Sequence, residues 1–358
     1  MLLLVLSLVV AGVSGDRWLL ETLDVDWGQD VLAKEVMGNH FDDWRNEYKK
    51  EYRDSIEEMY RKSVWETSFK LVHEHNRNNM SYRLKLNHFA DMTPAEFETR
   101  YLFPRNVSAP QACSATTSKP LLKSEAENLP GYVNWHKRGV VSKVKNQGHC
   151  GSCWTFSTTG AVEAHVAIQT GKHLLFSEQQ LIECAQDFDN HGCNGGLPSQ
   201  AFEYAHFNVL ETEDEYPYTA AKVGKCKYNK KSKTAVRVVK SVNITQNDEL
   251  QIQAAIATSG PVSVAYDVAS DFKLYHDGVY DSTVCKSGQQ NVNHAVLAVG
   301  YGTDENSGKD YWFIKDSWGT GFGIGGYFKM RRGVNMCGAA DCASYPSKIE
   351  VTGDDTLC

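Results

Sequence analysis

Two cysteines three residues apart stand in the segment Gln147-Gly148-His149-Cys150-Gly151-Ser152-Cys153-Trp154. Far downstream come Asn293-His294-Ala295 and then Trp312-Phe313-Ile314-Lys315-Asp316-Ser317-Trp318-Gly319. A cysteine attacks as thiolate, so it needs a positive neighbour to lower its pKa. His294 is the candidate partner, forming the ion pair and later protonating a leaving amine. Gln147 and the backbone N–H of Cys153 are candidate donors to a tetrahedral oxyanion. Asp316 has a carboxylate oxygen that can accept from the imidazole and hold the ring in orientation. Its negative charge beside an imidazolium raises the histidine pKa. Taken alone, Cys150-x-x-Cys153 also fits a redox pair or half a zinc site. No second Cys-x-x-Cys or His-x-x-x-His stands at ligand spacing, so no metal and no cofactor is expected.

These groups must be held by folded elements. Residues 161–170 read as a helix ended by Gly171, with Cys153 at its start, where the helix dipole favours a thiolate. Ser177 reads as the N-cap of a second helix. Residues 235–242, 261–266, 295–301 and 311–315 alternate or run β-branched, as strands do. A helical half followed by a β-rich half makes an α+β protein.

Upstream, Glu57, Arg61, Trp65, Ser68, Val72 and Asn76 fall within one sector of a single helix in a charged, aromatic stretch from His40 to Asn79. Residues 104–130 carry four of the nine prolines and little hydrophobic periodicity, which marks a linker open to proteolysis. Residues 1–15 are apolar and end in Val13-Ser14-Gly15, the pattern of a cleaved signal peptide, too short to span a bilayer. That predicts an exported protein, lysosomal or secreted, without a membrane span. Ten cysteines fit disulfides in such a compartment, and Asn79, Asn106 and Asn243 head glycosylation sequons. A net charge of −7 argues against nucleic acid as a partner, and the basic run at 225–231 reads as a solvated loop.

Together, Gln147, Cys150 to Trp154, Asn293-His294 and the block ending at Gly319 resemble the papain family of cysteine proteases. Asp316 stands where that family has Asn, and Phe322 where it has Trp. The resemblance implies a two-lobe fold, a helical left lobe and a β-barrel-like right lobe, with peptide and protein substrates bound between them. It assigns Cys153, His294, Asp316 and Gln147 to catalysis, and Gly195, Gly196 and Trp318 to substrate binding. The 57–76 face, followed by Asn87, Phe89 and Asp91, resembles the family's helical inhibitory propeptide, with Ser68 replacing Asn and Lys85 replacing Gly. Such a propeptide lies through the cleft in a non-cleavable direction. The family's pairing implies disulfides Cys150–Cys193, Cys184–Cys226 and Cys285–Cys337, which removes Cys150 from redox chemistry.

Pro110 to Thr116 further resembles the mini-chain of the family's aminopeptidase members, an octapeptide cut from the propeptide and kept by a disulfide, here implying Cys113–Cys342. The carboxylate of Thr116 would then meet a substrate's free α-ammonium. This implies a signal peptide at 1–15, propeptide at 16–108, mini-chain at 109–116, excised spacer at 117–128 and peptidase at 129–358. The activity implied is mainly aminopeptidase with some endopeptidase. Two alternatives stay open: a plain endopeptidase without a retained mini-chain, and a papain-fold binding or inhibitory protein impaired by Asp316. Residues 16–39 and Cys358 carry no reading.

Overall fold

The computed structural model describes residues 31–104, 128–221, 225–229, 232 and 234–352. The signal peptide, Asn106, the mini-chain with Cys113 and Thr116, most of the spacer and Cys358 lie outside the described residues. The described residues up to Met80 make one compact unit and those from Ser81 another.

In the first unit, helix α1 (Val31–Glu47) and helix α2 (Ser55–Arg77) pack through aromatic side chains. Phe41 meets Trp65 edge-on at 5.5 Å, and Trp65 packs on Phe69 at 5.3 Å. The helical stretch expected from His40 onward is broken: Lys49 turns left-handed, and Asp54 starts α2 anew by accepting from Ile56 N and Glu57 N. The predicted face lies on α2 as spaced, with Trp65, Ser68 and Val72 buried and Arg61 3.7 Å from Glu57.

The second unit begins with strand β1 (Tyr82–Leu84) and helix α3 (Pro94–Tyr101). Thr93 and Glu96 close a capping box on α3, and Pro94 sits in its first turn, where no N–H is needed. After the short strand β2 (Val133–Asn134) comes α4 (Cys153–Thr170), ended by Gly171 at φ 72°. Ser177 caps α5 (Glu178–Cys184) by accepting from Gln180 N, and α6 (Pro198–Phe207) leads into β3 (Leu210–Glu211). The β-rich part holds β4 (Ala235–Asn243), α7 (Glu249–Thr258), β5 (Val262–Tyr266) and β6 (Tyr275–Tyr280). It ends with β7 (His294–Thr303), β8 (Asp310–Lys315), β9 (Tyr327–Arg331) and β10 (Cys342–Thr352).

The strands run in the order β1-β6-β9-β8-β7-β5-β10-β4-β3, with β2 added to β7. This is an α+β protein of two lobes, helical on one side and sheet on the other. α4 is buried on every side from Cys153 to Ala167, as a helix at the centre of a core is. It docks on the sheet by Ser157 Oγ donating to Val296 O at 2.7 Å and Ser263 Oγ donating to Ser157 O at 3.0 Å.

Disulfides join Cys150–Cys193, Cys184–Cys226 and Cys285–Cys337. They close loops of 43, 42 and 52 residues, each removing about 4 kcal/mol of unfolded-chain entropy by the loop-length relation. Asn243 ends β4 at 8 % exposure. Asn79 is exposed.

Candidate active site

Cys153 opens α4 and is the free cysteine among the described residues. Its Sγ is buried and accepts from Ala295 N at 3.4 Å, across the junction between α4 and β7. His294, first residue of β7, holds its Nε2 2.9 Å from Asp316 Oδ1, both side chains fully buried. Its other ring nitrogen, Nδ1, is not engaged by Asp316, and Cys153 is the other side chain that bonds the ring. Trp318 stacks on the imidazole at 4.5 Å and 25°, and Phe322 meets Trp318 edge-on at 4.8 Å. A phenylalanine therefore still walls this side of the ring where the resembled family has tryptophan.

Burial disfavours a charged imidazole, but the charges of Asp316 and Cys153 outweigh it and raise His294 to about 9. An imidazolium paired with a thiolate is the state a cysteine nucleophile needs. Asp316 Oδ1 also accepts from Ser317 N at 2.7 Å, which fixes the carboxylate, while Oδ2 is buried without a partner.

Gln147 is oriented from behind. Ser317 Oγ donates to its Oε1 at 2.7 Å, and its own N–H donates to Ser317 O at 2.8 Å. That leaves Nε2 pointing into the cleft, where it donates to Tyr101 O and Cys150 O, each at 2.8 Å. Tyr101 is the last residue of α3. The chain then continues to Phe103, whose N–H donates to Asn293 O at 3.0 Å and whose ring lies on Gly195. The segment thus crosses the site from Trp318, which Phe89 and Phe97 cover edge-on, to Gly195. Gly195 holds φ 105°, and a Cβ there would lie 2.5 Å from Phe103 Cβ, so glycine is what lets a peptide backbone lie close.

Gly196 has a different reason to lack a side chain: its Cβ would fall 2.2 Å from Asn190 Oδ1 and 2.8 Å from Trp154 Cδ2, both buried. We expect Gly196→Ala to cost about 1–3 kcal/mol through overpacking, read as a lowered thermal midpoint of the zymogen.

Several residues around the site are invisible to motif reading. Lys145 Nζ sits 2.8 Å from Glu163 Oε1 and 2.6 Å from Glu178 Oε1, and Lys315 Nζ donates to Ser142 Oγ at 3.0 Å. Burial pushes Glu178 up to about 7 and Lys315 down to about 8. These charges line a small cavity together with Asp316 and Ser317. Tyr218 supports the other side, donating to Gln147 O at 2.5 Å and bonding Ser152 Oγ at 2.8 Å. Cys342 is itself disulfide-bonded, to none of the other described cysteines. Thr116 lies outside the described residues.

Comparison with known proteins agrees with this geometry. Residues 129–347 match the family described as papain family cysteine protease, and residues 41–97 match the cathepsin propeptide inhibitor domain. The chain is 46 % identical to pro-cathepsin H of Mus musculus, covering 95 % of this chain and 98 % of that one. It is 49 % identical to pro-cathepsin H of Medicago truncatula, over 88 % of each. Among solved structures, procathepsin L2 from Tenebrio molitor larval midgut aligns with a TM-score of 0.77 at 34 % identity, covering 87 % of this chain and all of that one.

Proposed function

The chain belongs to the papain family of cysteine proteases and carries that family's inhibitory propeptide, and from this premise we propose that it is the zymogen of a cathepsin H-like thiol peptidase, mainly an aminopeptidase with some endopeptidase activity. In this reading the Cys153 thiolate attacks the substrate carbonyl carbon. The C=O bond opens to an oxyanion held by Cys153 N–H and Gln147 Nε2. The imidazolium of His294 passes a proton from Nδ1 to the leaving amine as the C–N bond breaks, and water later hydrolyses the thioester with His294 as base. Asp316 keeps the ring in register through Nε2. In the zymogen the Tyr101 carbonyl holds Gln147 Nε2, and the propeptide backbone occupies the path of a substrate.

The observation that carries the reading is the Cys153–His294–Asp316 arrangement at the lobe junction. The aminopeptidase part is supported by Cys342. This residue pairs with Ala265 on β5, which pairs in turn with Ala295, whose N–H touches Cys153 Sγ. Two strand spacings, about 10 Å, separate Cys342 from Ala295. A peptide tethered there through Cys113 starts beside the cleft, and the Thr116 carboxylate is then the group that greets a free α-ammonium. Processing follows the boundaries read from sequence: a signal peptide at 1–15, export to the lysosome or outside the cell, loss of 16–108 and 117–128, and retention of 109–116.

Peptidase matured from the full chain is to be assayed on a free-amino aminoacyl amide and its N-blocked counterpart, with and without thiol alkylation. We expect the free amine to be favoured by about tenfold or more, the worth of one charge-assisted hydrogen bond. Preference for the blocked substrate identifies a plain endopeptidase, and the absence of thiol-dependent turnover identifies an impaired binder.

A further inference from the structure

The two oxyanion donors come from different elements: Gln147 lies in the loop before α4, and the Cys153 N–H belongs to the first residue of α4. Such donors act only when both are aimed at one point with little slack, so something must hold the loop to the helix end. The Cys150–Cys193 disulfide anchors the middle of this loop, but the two donors lie on either side of it. The hydroxyl of Tyr218 reaches both ends. It donates to Gln147 O at 2.5 Å and bonds Ser152 Oγ at 2.8 Å. A phenol has one proton to give. With that proton on Gln147 O, Ser152 Oγ is the donor in the second bond. Ser152 immediately precedes Cys153 and is the N-cap of α4, yet its side chain makes no capping bond. A serine in that position ordinarily accepts from the second or third amide of its helix; here its Oγ is turned to Tyr218 instead. Tyr218 is itself held on three sides. Its N–H donates to Glu213 Oε1 at 2.9 Å, the Thr219 N–H donates to Gln179 Oε1 at 3.0 Å, and its ring meets Phe156 of α4 edge-on at 4.9 Å.

We propose that Tyr218 is a positioning residue of the peptidase: its one hydroxyl ties Gln147 to Ser152 and so sets the spacing of the Gln147 Nε2 and Cys153 N–H donors around the oxyanion. It acts through these two residues and not on the substrate itself. Because the oxyanion exists only after attack, a misaimed pair of donors lowers kcat and leaves KM in place. The proposal rests on the cysteine-peptidase reading above, since it concerns the transition state of that reaction.

The test uses matured peptidase, an aminoacyl or peptidyl amide that the wild type cleaves, and iodoacetamide as a second probe. When the Cys153 thiolate displaces iodide, a C–S bond forms and no oxyanion arises, so alkylation reports the thiolate–imidazolium pair alone. Tyr218→Phe is expected to lower kcat about tenfold with KM within about twofold of wild type, the alkylation rate staying within about twofold and its pH profile unmoved. Ser152→Ala removes the other half of the tie and brings a similar loss. The double variant loses little more than either single one, as two partners in one bond do. Where Tyr218→Phe does not fold, Ser152→Ala carries the test, because its Oγ caps nothing in α4. A kcat within about twofold of wild type in either variant overturns the proposal, as do losses that multiply in the double variant. So does an alkylation rate that falls in step with turnover, the mark of a general loosening of the site. Failure of the peptidase reading looks different: the wild type then cleaves no amide in a thiol-dependent way, even though Cys153 is alkylated.

Discussion

Cys153→Ala is expected to lower kcat/KM by about 10⁴-fold or more while leaving the zymogen folded, because it removes the atom that attacks and little else. The side chain is small and fully buried, and the bond it accepts from Ala295 N is long, at 3.4 Å. Its loss opens a void of one sulfur atom, which the packed core around Trp154 and Val162 tolerates at a cost of about 1 kcal/mol. Residual turnover comes from Gln147 and the backbone donor, which stay in place. The variant has a second, independent consequence. Burial lowers the His294 pKa, and the charges of Asp316 and Cys153 together bring it up to about 9. With Cys153 gone, one of the two raising charges goes with it, so the imidazole titrates at lower pH than in the wild type. Proton NMR of the ring follows this directly. An unmoved histidine titration would show that the two side chains are not electrostatically paired, even if activity were lost.

Much of this site was legible in the chain because its parts carry local punctuation. Gly171 ends α4 at positive φ, Ser177 caps α5, and the β-branched runs at 235–242 and 295–301 lie within β4 and β7. The last strand, β10, escaped notice because Pro346 and the charges after it hide the alternation. Its pairing with β4 shifts register on either side of Lys348. The buried charges were hidden for another reason. Composition rules put Glu163, Glu178 and Lys315 at the surface, and only the fold shows that Lys145, from a separate loop, pairs with one oxygen of each carboxylate. Lys273 is similar: a lysine between Phe272 and Leu274 gives no sign of burial until the propeptide carbonyls are seen around it. The docking register of Tyr101 on Gln147 is likewise tertiary, since nothing in either local sequence selects the other.

Asp316→Asn is expected to move the alkaline limb of the kcat/KM–pH profile toward acid by about one unit or more, the usual effect of removing an opposite charge next to a titrating group. The geometry makes this a clean subtraction of charge. Asp316 Oδ1 accepts from His294 Nε2 and from Ser317 N, and an amide oxygen in the same place keeps both bonds. The amide nitrogen then takes the position of Oδ2, which has no partner to lose. Activity on the acid side is therefore retained. The sign follows from the direction of the shift. His294 has a folded pKa raised above its ordinary value of 6.5, so the ion pair's contribution to stability is full below about 6.5 and is lost as pH rises through about 9. The Asn variant gives up part of that contribution across the neutral range, and its thermal midpoint falls there but converges on the wild type at high pH. Because both side chains are fully buried, added salt does not reproduce the shift in the wild type. Asp316→Ala differs in kind: it leaves the Nε2–H buried without an acceptor, a penalty of about 1–3 kcal/mol that appears as a ten- to hundredfold loss of kcat/KM at every pH. Superimposable profiles for wild type and Asp316→Asn would mean that the carboxylate acts only as a hydrogen-bond acceptor, and that this chain gains nothing from its charge over the asparagine of its family.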